Sequence, residues 1–220
     1  MSEKVKEPLF SKKNKKLITD PLSENNPVTV QVLGICSALA ITVSIEQAVV
    51  MSLSVLFVVA TGNVVVSLMR NLIPDRIRII VQLVAAASLV IIVNEVLKAY
   101  LPDMAEKLSV FVGLIITNCI LMGRYEAFAM ANKPWPSFLD GIGNSLGYGW
   151  ILVVVAIFRE LFGTGKLAGF QIMGDAVEGT GAYSVGYMNN NLIILAPFAL
   201  FCVAIVIWVQ RSINKNLIEH

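Results

Sequence analysis

Six long apolar stretches, none showing the polar–apolar alternation of a half-buried strand, restrict this chain more than any other feature. They run about Val28 to Ser44, Ala48 to Met69, Ile77 to Leu97, Leu108 to Gly123, Leu146 to Phe162 and Leu192 to Val209. A helix of roughly 20 apolar residues spans a bilayer, whereas an open sheet edge leaves its backbone unsatisfied in lipid. The expected fold is an all-α membrane protein of six transmembrane helices. Only 15% of the 220 residues are charged, against about 25% in soluble domains, and the apolar runs leave no room for a large soluble catalytic domain.

Charge sets the expected orientation. Lys4, Lys6, Lys12, Lys13, Lys15 and Lys16 lie in residues 1–27, which read as a basic tail without the apolar core of a signal peptide. Arg70, Arg76 and Arg78 fall in the second loop, Arg124 and Lys133 in the fourth, and Arg211 and Lys215 near the end, while the first loop has no Lys or Arg. Cytoplasmic loops carry the excess of Lys and Arg, so both termini are expected in the cytoplasm, with a membrane domain over 28–211 and a short tail over 212–220. The net charge of +2 is too small to argue for a nucleic-acid partner. Gly163 to Asn191, rich in glycine, reads as an irregular outer loop shaped by a partner.

Cys36 in the first stretch and Cys119 in the fourth occupy matching positions. Each follows a glycine in its span, Gly34 or Gly113, and precedes a loop glutamate, Glu46 or Glu126, with a return to the membrane after it. Two three-span halves, about 28–100 and 108–211, would have opposite orientations because each half crosses an odd number of times. Short or glycine-interrupted spans at corresponding places in such inverted repeats point to a site at the midplane. The first and fourth helices are therefore expected to be short or broken, with Ser37, Thr117 and Asn118 satisfying the freed backbone groups.

Two thiols admit a disulfide, or half of a metal site that a second chain completes, because zinc and iron–sulfur centres generally take four protein ligands. The single histidine, His220, is the last residue and does not serve a buried centre. Cys202 reads as a packing residue. A small inverted-repeat transporter and a purely structural subunit are the competing classes. Glu95 and the Arg159–Glu160 pair sit near span ends and read as snorkelling groups, and no acid falls at an apolar centre. Asn63 and Gln82 are expected to bond between helices, and the glycines of "DGIGNSLGYG" to allow close packing at the entry to the fifth span.

Four segments, "NNPVTVQVLGICSALAIT", "SVFVGLIITNCILMGRYEAFAM", "DGIGNSLGYGW" and "FRELFGTGKL", carry a resemblance that runs from about Asn25 to Arg211. They resemble the related membrane subunits of bacterial sodium-translocating NADH:quinone reductases and of the Rnf ferredoxin:NAD electron-transport complexes, with "CSALAIT" nearer the quinone-reductase branch. The resemblance implies a subunit of a six-subunit complex, A to F, in the bacterial inner membrane, its closest partner the homologous E subunit. It further implies that Cys36 and Cys119 are iron ligands of a 2Fe–2S cluster shared with that partner, coupling electron relay to sodium export. Flavins, NADH and quinone would be bound by other subunits, and this chain would have no catalytic residue of its own.

Overall fold

The computed structural model describes residues 12–22, 25–102, 106, 113–164, 166–167, 170–171 and 193–213. Among these the fold is helical: α1 (Lys12–Thr19), α2 (Ile35–Ile41), α3 (Ile45–Met69), α4 (Arg78–Tyr100), α5 (Cys119–Arg124), α6 (Pro134–Thr164) and α7 (Ala196–Ile213). A π-helical turn, Tyr125–Ala129, continues α5, and 3-10 turns follow α1 and precede α4. The described strands are two-residue pieces, Lys166–Leu167 and Phe170–Gln171, paired antiparallel just after α6. They belong to the segment expected to be an irregular loop, most of which lies outside the described residues, as does part of the fourth apolar stretch.

Among the described residues three helices, α3, α4 and α6, are long and apolar enough to cross a membrane. α3, with 25 residues, is about 37 Å long at 1.5 Å per residue, ample for a hydrocarbon core of about 30 Å. Three of its hydroxyl residues close their own bonds on the preceding turn, Ser52 Oγ donating to Ala48 O at 2.7 Å, Ser54 Oγ to Val50 O at 2.8 Å and Thr61 Oγ1 to Phe57 O at 2.6 Å. α4 ends at Tyr100, just before Pro102, which has no amide hydrogen to extend the ladder.

The core is built on α3 against α6, the largest interface between helices. The two run antiparallel, because the start of α3 meets the end of α6 at Ile45 and Glu160, while Asn63 meets Ser137 at the other end. As expected, Asn63 bonds between helices, its Nδ2 donating to Ser137 O at 2.9 Å. Gln82 does likewise from α4, donating to Glu126 Oε2 at 3.0 Å, and Arg78 ion-pairs with the same carboxylate. Glu126 thus lies in the π-helical turn, rather than in the loop the sequence suggested.

α6 begins at Pro134, not near Leu146, so "DGIGNSLGYG" lies inside the helix rather than at its entry. Pro is well suited to a first helical position, where its missing amide hydrogen costs nothing. The close packing expected of those glycines is present, against α3 at Gly141 and Gly149 and against the N-terminal segment at Gly143 and Gly147. A β-carbon on Gly143 would sit 2.5 Å from Leu17 O and 2.9 Å from Ile18 Cα, so the backbone of α1 lies directly on α6. Behind it, Asn26 Nδ2 donates to Gly147 O at 3.1 Å, and Asn26 Oδ1 accepts from Val28 N at 2.9 Å, fixing the turn that leads toward the first cysteine.

Candidate functional site

In both cysteine-bearing segments a short helix begins at or just before the thiol, after irregular backbone. α2 has seven residues and α5 six, roughly 10 Å each and too short to cross. Before α2 the chain turns through Val32 and Gly34 with φ of 58° and 81°, the left-handed region that a β-branched residue rarely enters. Before α5, Gly113–Ile116 is helical and the helix breaks at Thr117–Asn118. Gly113 is therefore not the break: a β-carbon there would meet nothing within 4 Å. Asn118 does that work, its side-chain oxygen capping α5 by accepting from Ile120 N at 3.3 Å.

The two breaks meet. Ser37, next to Cys36, accepts a bond from Asn118 Nδ2, next to Cys119, at 3.2 Å. Ser37 Oγ also bonds Gly34 O at 2.8 Å and the Tyr148 hydroxyl at 2.5 Å, and Asn118 Nδ2 reaches that hydroxyl at 3.3 Å. Ser37, Asn118 and Tyr148 are all buried, where a polar group without a partner is costly, so this network fixes one arrangement. Cys36 and Cys119 flank it as free thiols, and both are exposed. Cys202 is buried in the hydrophobic core, as its sequence context suggested.

A pair of thiols on adjacent backbone breaks, exposed in an apolar setting, suits a soft metal centre finished by another chain. Among the described residues no group of three or more His, Cys, Asp or Glu side chains forms a metal site. Two thiolates are half of the four-sulfur set an iron–sulfur cluster takes, so the donor chemistry fits a shared cluster.

Arg159 and Glu160 do not snorkel. Arg159 is 1% exposed, because α6 carries it inward between the end of α2 and the chain entering α7. Its guanidinium donates to Thr42 Oγ1 at 2.6 Å, to Leu39 O at 3.5 Å, and to the carbonyls of Ile193, Ile194 and Leu195. Glu160, 7% exposed, accepts from Ile45 N at 2.7 Å and so caps α3. Both are used to close helix ends that lipid cannot satisfy. The sequence offered no cue, because the groups they serve lie from 34 to 120 positions away.

An acid also lies buried near the start of α6, ahead of the apolar stretch that was expected to be free of acids. Asp140 forms a bidentate pair with Arg124, at 2.9 Å through Nε and closer through Nη2, and accepts from Asn144 Nδ2 at 3.1 Å. Placing the start of the fifth span at Leu146 hid it. With Leu17, Asp20, Pro21, Asn25 and Gln31, this cluster lines a cavity of ≈ 220 Å³. Glu95, by contrast, is exposed and paired with Lys98 at 3.0 Å.

Comparison with known proteins bears on this geometry. A family model described as Rnf-Nqr subunit, membrane protein, matches residues 14–207. The D subunit of the Na(+)-translocating NADH-quinone reductase of Photobacterium profundum is 52% identical over 209 residues, covering 95% of this chain and 97% of the relative. The family match embraces both cysteine segments and all of α6.

Proposed function

Because this chain belongs to the Rnf-Nqr family of membrane subunits, we propose that it is the D-type subunit of a sodium-translocating NADH:quinone reductase and holds half of an intramembrane iron–sulfur cluster. The observation that carries this reading is the meeting of two short helix starts, each bearing an exposed free cysteine and tied to the other through Ser37 and Asn118. Cys36 and Cys119 are the ligands from this chain, and the homologous E subunit contributes the other two. A 2Fe–2S cluster bound there supplies one-electron transfer.

The chain's own residues hold and shield the site. Gly34 and Asn118 end the preceding backbone so that each thiol sits at a helix start, and Ser37 and Tyr148 close the buried side with hydrogen bonds instead of water. NADH, flavins and quinone belong to other subunits of the six-subunit complex, and sodium export is the work of the assembly. The six-span inverted repeat is part of the same proposal. Its support is that α3 and α6, which hold equivalent places after the two cysteine helices, run in opposite directions. Both termini then lie on the cytoplasmic side of the inner membrane, as the Lys and Arg bias asks.

Replacing Cys36 with alanine in the complete complex tests the reading. The expected outcome is an assembled complex that has lost the iron of this cluster and most of its quinone-reductase rate. An assembled variant with unchanged iron and rate would overturn the assignment.

A further inference from the structure

Tyr148, carried on α6, touches both cysteine breaks. Its ring packs on Gly34, where a β-carbon would lie 2.8 Å from Cε2, and its hydroxyl reaches Ser37 at 2.5 Å and Asn118 at 3.3 Å. Ser37 directly follows Cys36, and Asn118 directly precedes Cys119. The phenol is fully buried, and its two partners lie 111 and 30 positions away in sequence, so the contact is tertiary.

We propose that Tyr148 is the positioning residue of the two-cysteine site: its hydroxyl pins the segments that carry Cys36 and Cys119 to a common point on α6, holding the thiols in register before metal enters. This inference rests on the iron–sulfur reading above. Backbone breaks are the least constrained parts of a helix, and nothing within α2 or α5 alone fixes one thiol relative to the other. The hydroxyl shared by Ser37 and Asn118 does so from a third, 31-residue helix that is itself locked against α3. Groups behind the direct ligands tune metal sites in this way, and changing one typically alters metal affinity about 10- to 100-fold.

Tyr148→Phe keeps the ring against Gly34 and removes only the shared hydroxyl. In the complete complex, we expect iron loss to a chelator to quicken about 10- to 100-fold and the paramagnetic signal of the reduced cluster to broaden. Ser37→Ala removes the bond to that hydroxyl together with those to Gly34 O and Asn118 Nδ2 and should shift both readouts further in the same direction, whereas Ser37→Thr, which keeps the hydroxyl, should behave as wild type. Cys36→Ala is measured alongside. If Cys36→Ala abolishes the signal while Tyr148→Phe and Ser37→Ala retain wild-type iron kinetics and signal, the positioning role is overturned and the cluster assignment stands. If Cys36→Ala leaves iron and signal intact, the cluster assignment fails and the positioning role with it. Should Tyr148→Phe fail to assemble, Ser37→Ala decides.

Discussion

A methyl group at position 34 meets two obstacles together: the left-handed backbone, at φ of 81°, and the Tyr148 ring 2.8 Å away. Gly34→Ala is therefore expected to destabilise the subunit by about 2 kcal/mol or more. The measurement is the thermal unfolding midpoint of the solubilised complex. Gly113→Ala is the internal control, because that site is helical and open, and the substitution should leave the midpoint unchanged or slightly raised. At this scale the sequence was informative where chemistry is local. Ser37 and Asn118 could be picked out as satisfiers of freed backbone groups because they adjoin the cysteines, and they do bond Gly34 O and Ile120 N. Tyr148 and Arg159 could not, since periodicity and composition carry no record of which distant carbonyl or hydroxyl a side chain will meet.

α1 and α6 lie together backbone on backbone, and that contact depends on Gly143 having no side chain. Gly143→Leu should lift α1 from α6 without breaking α6 itself, where leucine is a good helix former. Limited trypsin digestion should then cut after Lys16 faster than in the parent protein, and an unchanged rate would show that α1 is held by other contacts. The boundaries of the helices were legible where apolar runs end abruptly. The second and third stretches, Ala48 to Met69 and Ile77 to Leu97, nearly coincide with α3 and α4. The fifth did not, because α6 continues through glycine, asparagine and aspartate residues that resemble a loop until Asn26, Arg124 and α1 cover them. Polar residues mark a helix as exposed only when no other element supplies their partners.

For the molecule as a whole, the expected topology has a direct check. Cysteines introduced near both ends of a cysteine-depleted chain should react with a membrane-impermeant thiol reagent in inverted vesicles and not in intact cells; labelling of one end alone from outside would require an odd number of crossings, and labelling of both the reverse orientation. Burial is also uneven among the long helices. In its most apolar window α4 is only 17% buried within the chain, against 50% for α3 and 61% for α6. Its outer face, with Ile79, Ile80, Val84, Ile91 and Ile92, is left to lipid or to neighbouring subunits. The class of protein was readable from hydropathy alone, since water-free surroundings leave few options to a backbone. That the two cysteine segments touch through Ser37 and Asn118 needed coordinates, because hydropathy carries no record of which segments meet across 81 positions.

The buried guanidinium of Arg159 bears on how the chain is made. It donates to Leu39 O and the Thr42 hydroxyl across sequence separations of 120 and 117 residues, so the end of α2 lacks this partner until far more of the protein has been translated. At 5–20 residues per second that interval is on the order of ten seconds. A seven-residue helix cannot hold itself in lipid for that long. The first cysteine segment therefore gains the partner that seals its helix end only once α6 has been made, and its final geometry is set late in synthesis.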